Sequence, residues 1–198
     1  PELYAIRYGK FYYSFTHKDD LFIVLNPNLD YWNITGDQLQ FLEDTLGEQS
    51  PTSGNVFVFF HQLIWVDNSN DLSYLSPNSF EGKSDPTNFW SDLMPLFIEQ
   101  ENEVYLFAGD IGAFSGQPAF FLEDFQGVTF VASGMGGGRD DNFLIVSVLD
   151  NSQVEINKME LRREYNILAS PEATLVLNQF TIGMVIVMFG MGTLAAYD

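Results

Sequence analysis

The 198-residue chain is 46% hydrophobic, which is enough for one ordinary domain with a substantial core. Its 8 Lys and Arg residues against 27 Asp and Glu residues give a formal net charge of −19. That charge repels phosphate backbones and argues against nucleic acid as a partner. Because the chain has no cysteine, disulfides and thiolate metal sites are excluded, and only oxygen and imidazole ligands remain for a metal.

The first predicted elements are a β-hairpin and a helix. The β-rich runs 11–15 and 21–25 are separated by polar residues, a pattern typical of two strands joined by a short turn. Thr35 and Gln38 form a capping-box pattern before leucines at helical spacing, and Gly47 supplies a stop signal. We therefore expect a helix between Thr35 and Gly47.

A buried strand, a long loop and a second helix are expected next. Residues 55–60 form a continuous apolar run, which is typical of a strand covered on both faces, and His61 follows it directly. The segment 67–88 is rich in Asp, Asn, Ser and Pro and is predicted to be a surface loop. The second helix is expected to open at Asp85-Pro86, because proline suits the first turn of a helix.

The later part of the chain is predicted to be rich in strands. The stretch EVYLFAGDIGAF contains a buried strand that ends just before Asp110. Three further strands are expected, the last two joined by a tight turn at Asp150-Asn151: 127–133, 142–149 and 153–161. Helices alternate with strands early and strands dominate late, so the sequence predicts an α/β fold.

The stretch 173–197 carries no charged side chain and exceeds the roughly 20 residues that span a bilayer core. A transmembrane helix is the preferred interpretation, and the glycines of the stretch would suit packing against partner helices, although they lack the G-x-x-x-G spacing. The alternative is a buried helix or strand pair, because Asn178 and Gln179 interrupt the stretch and β-branched residues are frequent. On the membrane interpretation, residues 1–162 form the domain and 163–172 link it to the membrane.

Two residues at strand ends are candidates for chemistry. His61 and Asp110 each follow an apolar strand, and in α/β sheets functional sites gather at the carboxyl ends of strands. Taken alone, a His after a strand is more often a hydrogen-bonded structural residue. An Asp in a Gly-x-Gly turn usually serves the turn itself. The residues by themselves leave both interpretations open.

Several segments stand in an order that is known from one enzyme family. They read YYSF…LFIVLNPN, GDQLQFLEDTL, VFVFFHQLIW, VYLFAGDIGAF and GVTFVASGMGGG…NFLIVSV. The third looks like a strand that ends in a ligand His, and the fourth lies where the family has its G-H-x-H motif. Over about residues 3–158, this order resembles the calcineurin-like metallophosphoesterase family.

The resemblance implies a layered β-sandwich flanked by helices that holds two divalent metals (Mn, Zn, Fe or Mg) and hydrolyses phosphate esters. In such enzymes a metal-bridging hydroxide attacks the phosphorus. By the residue matches, His61 would be a metal ligand, and Asp110 would replace the first His of G-H-x-H. No residue of this chain matches the family's catalytic acid.

The chain departs from the family pattern at two points. The family's D-x-H, G-D-x-x-D and G-N-H-[DE] motifs would precede residue 1, and Gly112 stands where the second His of G-H-x-H belongs. One His and one Asp cannot hold two metals. We therefore expect the C-terminal part of a membrane-anchored phosphoesterase, inactive alone. Its domain is expected on the extracytoplasmic side; the alternative is a cytoplasmic domain, because Arg162 and Arg163 precede the uncharged stretch and the positive-inside rule favours that side for them. The alternative is a non-catalytic phosphoesterase-like subunit that serves as a scaffold or docking piece in a membrane complex.

Overall fold

The computed structural model describes Arg7 and residues 9–67, 71–113, 116–135 and 140–161. Within them the helical elements are α1 (Gly36–Gln49), α2 (Met94–Ile98), a π-helical turn (Phe89–Leu93) and two 3-10 turns (Pro27–Leu29 and Ser50–Thr52). The strands are β1 (Tyr13–His17), β2 (Asp20–Val24), β3 (Asn55–Phe59), β4 (Glu103–Ala108), β5 (Phe120–Phe125), β6 (Val128–Ser133), β7 (Asn142–Val148) and β8 (Val154–Glu160). The expected mixed α/β fold is confirmed.

A six-stranded sheet forms the centre of the fold, with its strands in the order β1-β2-β3-β4-β6-β5. The four inner strands β2, β3, β4 and β6 run parallel, and β1 and β5 pair antiparallel at the two edges. The inner strands are nearly continuous apolar runs, as parallel strands covered on both faces require. Because they are parallel, their carboxyl ends meet at one edge of the sheet.

The central sheet is covered on both faces. On one face, Val56 and Val58 belong to the same buried cluster as Leu42 of α1. On the other face, Phe57 packs in a second cluster with Leu144 of β7. The antiparallel pair β7-β8 therefore forms a second sheet against the first, and the described part of the chain has three layers: helices, six-stranded sheet and two-stranded sheet.

The first helix differs from the expectation at both ends. Thr35 is the N-cap residue, as expected, but its side chain makes no cap hydrogen bond and donates to Asp30 instead. Gln38 is buried and exchanges two hydrogen bonds with the backbone of Asn26, of 2.7 and 3.2 Å. Both side chains of the expected capping box thus hold the preceding loop, and the helix continues past Gly47.

The second helix does not open at Asp85-Pro86, which are joined by a cis peptide bond. Helical structure begins only at the π-helical turn, and α2 follows it directly. The residues before the turn are tied to other parts of the fold, since the Thr87 hydroxyl donates to the Ile64 carbonyl at 2.5 Å.

Among the described residues, no helix combines the length and apolar character that crossing a bilayer requires. The expected transmembrane segment 173–197 and its linker 163–172 lie outside the described residues.

Candidate functional site

The carboxyl ends of β3 and β4 bring His61 and Asp110 side by side. These strands pair in parallel, and the backbone N–H groups of Gly109 and Asp110 both donate to the His61 carbonyl, at 3.0 and 2.9 Å. Nε2 of His61 lies 3.9 Å from Oδ1 of Asp110. The two residues singled out from the sequence are therefore neighbours at the edge where the parallel strands end.

The two side chains differ sharply in exposure. The Asp110 side chain is 5% exposed, whereas the His61 side chain is 40% exposed. Burial raises the pKa of the Asp110 carboxyl, and the His61 charge and the Asn78 backbone N–H only partly oppose that effect. Since 3.9 Å is longer than a hydrogen bond, the His61 ring and the Asp110 carboxyl lie close together without a direct bond.

Glycines allow the loop around Asp110 to pack tightly. A Cβ at Gly109 would lie 3.3 Å from Nδ1 of His61, so the imidazole ring lies almost against the backbone. Gly112 has a φ of +92°, and a Cβ there would lie 2.7 Å from the Cβ of Ala119. The position where the family has its second His is therefore occupied by closely packed backbone.

Asn78, from the long loop after β3, fixes the Asp110 loop and was not singled out from the sequence. Its backbone N–H donates to the Asp110 carbonyl at 3.1 Å, and its Nδ2 donates to the Ile111 carbonyl at 3.3 Å. Its Oδ1 accepts from the Ala113 N–H at 2.6 Å, while Pro77 forms a β-bridge with Ile111. No motif marks Asn78, and its only sequence signal is its place in a polar loop.

Other buried polar side chains follow the inner strands in the sequence, close to where each strand ends. Gln62, next to His61, is 4% exposed, and within the described part of the chain its Oε1 has no hydrogen-bond partner. At the end of β6, the Ser133 hydroxyl donates to Asn142 Oδ1 at 2.8 Å, and Asn142 Nδ2 donates to the Ala119 carbonyl at 2.7 Å. The Ser133–Asn142 pair ties the end of β6 to the start of β7.

His61 and Asp110 offer a nitrogen and an oxygen, which are atom types that bind divalent metals in proteins. Ligand atoms about 2.0–2.2 Å from a zinc ion lie roughly 3–3.5 Å from each other, a little closer than the observed 3.9 Å. A cation between them would also offset the cost of a buried carboxylate. Among the described residues, however, no group of three or more His, Cys, Asp or Glu side chains could hold a metal ion. The role of both residues as ligands stays a prediction.

Comparison with known proteins supports a fold but does not identify an activity or a binding site. No protein-family model and no curated protein matches the chain. Among solved structures, the chain is similar to a purple acid phosphatase isolated from yellow lupin (Lupinus luteus) seeds, with a TM-score of 0.54 and 15% sequence identity. The match covers 77% of this chain but only 30% of the lupin chain. The fold therefore resembles that of a phosphatase of the calcineurin-like metallophosphoesterase type.

Proposed function

We propose that the chain is the C-terminal part of a calcineurin-like metallophosphoesterase and that His61 and Asp110 supply two ligands to a divalent metal. The observation that carries this proposal is their 3.9 Å separation at the carboxyl edge of a sheet whose fold resembles a purple acid phosphatase. Polypeptide outside this chain would supply the other ligands, from D-x-H and G-N-H-[DE] motifs. The 198-residue chain alone is therefore expected to be inactive.

The residues of this chain have distinct tasks in that site. His61 would supply an imidazole nitrogen from a side chain that is 40% exposed, and Asp110 would supply a carboxylate oxygen from one that is 5% exposed. A bound Mn, Zn, Fe or Mg ion would supply a nucleophilic hydroxide and neutralise charge on the phosphoryl oxygens. The chain's net charge of −19 repels an anionic phosphate ester. Metal cations bound at this edge of the sheet would offset that repulsion and attract the substrate.

The ligand assignment is tested by following the imidazoles of His17 and His61 by NMR during a Zn²⁺ titration of a protein that carries this chain together with the upstream motifs. The chain has 2 His residues, and His17 lies exposed at the end of β1, which makes it an internal control. We expect Zn²⁺ to shift the His61 ring nitrogen signals and to leave those of His17 in place. Asp110→Asn should weaken the shift, whereas Asp150→Asn, in an exposed turn, should not. Equal shifts at both histidines, or none, would reject the assignment.

Activity is tested in a longer protein that contains the upstream motifs. Hydrolysis of p-nitrophenyl phosphate with Mn²⁺ or Zn²⁺ is compared between the unmodified protein, His61→Ala and His17→Ala. Loss of a metal ligand should lower kcat/KM by about 100-fold or more, since even residues that support ligands contribute about 10–100-fold. A His61→Ala protein as active as the His17→Ala protein would contradict the proposed site.

We also propose that residues 173–197 anchor the protein in a membrane, with the phosphoesterase domain on the extracytoplasmic side. The uncharged stretch supports the anchor. Removal of residues 171–198 tests it, with detergent phase partition and circular dichroism as the measurements. An anchor predicts a folded domain that moves to the aqueous phase, whereas a core element predicts an unfolded or aggregated product.

A non-catalytic scaffold subunit in a membrane complex is the second candidate. The packing of Gly112 against Ala119 favours it, because this loop leaves no room for the family's second His. Copurification with integral membrane proteins in fixed stoichiometry, together with an unshifted His61 signal in Zn²⁺, would support this function over the enzyme.

A further inference from the structure

We propose that the two-stranded sheet β7-β8 continues on the free side of β7, where a strand from polypeptide upstream of this chain pairs with β7 and covers Tyr13 and Phe15. The interaction surface consists of the β7 edge and these two aromatic rings. It rests on the proposed function for one premise, the presence of upstream polypeptide, and not on a metal at His61.

The free edge of β7 offers unpaired backbone groups. The Leu149 N–H donates to the Gln153 carbonyl at 2.9 Å, which fixes the alternation of hydrogen bonds along the antiparallel pair. Every second residue of β7 therefore bonds to β8. The N–H and C=O groups of three others point away from β8: Leu144, Val146 and Val148. Within the described residues no strand pairs with this side of β7, and an added strand would supply the missing donors and acceptors.

The sequences of the two strands differ as those of an inner and an edge strand do. β8 carries the exposed charged residues Glu155, Lys158 and Glu160, and such charges protect an edge strand against further pairing. β7 reads NFLIVSV and contains neither a charged residue nor a proline. β7 thus lacks the residues that protect an edge, which is typical of a strand paired on both sides.

The free side of β7 faces the half of the central sheet that ends with β1. β7 begins where β6 ends, since the Ser133 hydroxyl donates to Asn142 at 2.8 Å. β8 lies toward β5, since Nζ of Lys158 lies 5.7 Å from the centre of the Phe120 ring. Because β1 and β5 are opposite edges of the six-stranded sheet, the free side of β7 points toward β1.

That half of the sheet carries exposed aromatic rings. Strands lie about 4.8 Å apart, so the six strands span roughly 24 Å and one strand pair cannot cover them. Tyr13 and Phe15 are 44% and 43% exposed. Phe15 stacks at 4.9 Å on Phe22, which is buried in one cluster with Leu144 of β7. The two rings therefore extend this cluster beyond the area that β7-β8 covers, and a strand beside β7 would bury them.

Upstream polypeptide is the occupant that position and charge favour. Both rings belong to β1, the first described strand, so polypeptide that precedes it enters the fold beside this surface at a high effective concentration. A second copy is opposed by repulsion between two chains that each carry a net charge of −19. The residues that follow β8 leave from the other side of β7.

Photocrosslinking tests the occupant in the longer protein that contains the upstream motifs. Phe15→p-benzoylphenylalanine keeps an aromatic side chain at the surface. Leu122→p-benzoylphenylalanine is the matched control, because Leu122 is 44% exposed on the opposite edge strand, β5. After irradiation, peptide mapping by mass spectrometry should join position 15 to a peptide upstream of residue 1. Position 122 should form no such crosslink.

Hydrogen exchange in the unsubstituted longer protein is a second measurement that needs no variant. Phe143 and Ile145 bond to β8 and serve as references within the same strand. With a strand on the free side, the amides of Leu144 and Val146 should exchange as slowly as these references. Without one, they should exchange more than about 100-fold faster, because an unpaired edge amide needs no opening of the fold.

The outcomes separate this surface from the metal site. Crosslinks from position 15 to this chain, to a second copy or to another protein would overturn the proposal, as would no crosslink or fast exchange at Val146. An upstream crosslink in a protein that stays fully active as His61→Ala would reject the metal site and leave the surface standing. Peptide mapping of the native protein that finds nothing before residue 1 would overturn both.

Discussion

Gly134 and Ile111 pack backbone against backbone where β6 ends: a Cβ on Gly134 would lie 1.8 Å from the Ile111 carbonyl oxygen. The same Cβ would lie 3.1 Å from the Gly109 carbonyl oxygen. The loop that carries Asp110 is therefore held from two sides, by Asn78 on one and by the bare backbone of Gly134 on the other.

Gly134→Ala is expected to be strongly destabilising. The added methyl group meets backbone atoms, which cannot move aside as a flexible side chain does, so the cost should reach about 3 kcal/mol or more. Urea unfolding measures the loss, and Zn²⁺ affinity at His61 should fall with it. A variant within about 0.5 kcal/mol of the unmodified chain, a range usual for harmless surface changes, would show that the two loops are farther apart than described.

Gly47→Ala is the matched control and should change stability in the opposite direction. Gly47 lies exposed inside α1, and a Cβ there meets nothing within 4 Å. Alanine restricts the unfolded chain and favours the helix, so the same urea experiment should give a gain of about 0.5–1 kcal/mol. A loss of stability would indicate that the helix ends at Gly47 after all.

Most strands were predictable from the residues, because their apolar runs stand out in the sequence. The apolar runs that become β3 and β4, the hairpin β1-β2 and the turn between β7 and β8 all lie within a few residues of their expected places. β5, with the sequence FFLEDF, was missed: it is an edge strand, paired only with β6, and carries exposed acidic side chains. Its pairing depends on β6 and not on its own pattern.

The site was predictable only in part. The choice of His61 and Asp110 as candidates rested on their places after apolar strands, and their proximity follows because the parallel strands end at one edge of the sheet. Asn78 could not be found in this way, since its bonds to Ile111 and Ala113 join loops more than thirty residues apart. Likewise, the expected capping box failed because Gln38 finds a tertiary partner, Asn26, that a local pattern cannot include.

Gly112→His, which restores the second His of the family's G-H-x-H motif, should not restore a ligand. A side chain at φ +92° costs about 1–3 kcal/mol, and its Cβ would lie 2.7 Å from that of Ala119. We expect lower stability in urea and no gain in Zn²⁺ affinity.

A second substitution separates the two costs of Gly112→His. Adding Ala119→Gly removes the contact between the two Cβ atoms but leaves the backbone strain, so only part of the stability should return. Tighter Zn²⁺ binding by Gly112→His with unchanged stability would contradict the packing seen around Gly112.

Asp110→Asn should make the metal-free chain more stable at neutral pH. Burial raises the folded-state pKa of Asp110 above its ordinary value of 3.8, with His61 as the opposing charge. A group with a raised pKa contributes its full stability below the unfolded value, and that contribution is lost as pH rises through the folded value. The ionised carboxylate therefore destabilises the neutral-pH fold, and an uncharged amide of the same shape avoids that cost.

The pH dependence distinguishes this cause from a general effect of removing a negative charge from an acidic chain. The advantage of Asp110→Asn, measured by urea unfolding from pH 3 to pH 8, should shrink as pH falls through the raised folded-state pKa and disappear below the ordinary value of 3.8, where the carboxyl becomes protonated in both states. Asp150→Asn removes the same charge from an exposed turn and should show little change. An equal gain in both variants would assign the effect to net charge. The remaining outcome is a gain in stability that is confined to Asp110→Asn and that disappears in saturating Zn²⁺, because the metal then stabilises the unmodified chain. That outcome would mean that the buried carboxylate binds a cation and lowers the stability of the metal-free fold.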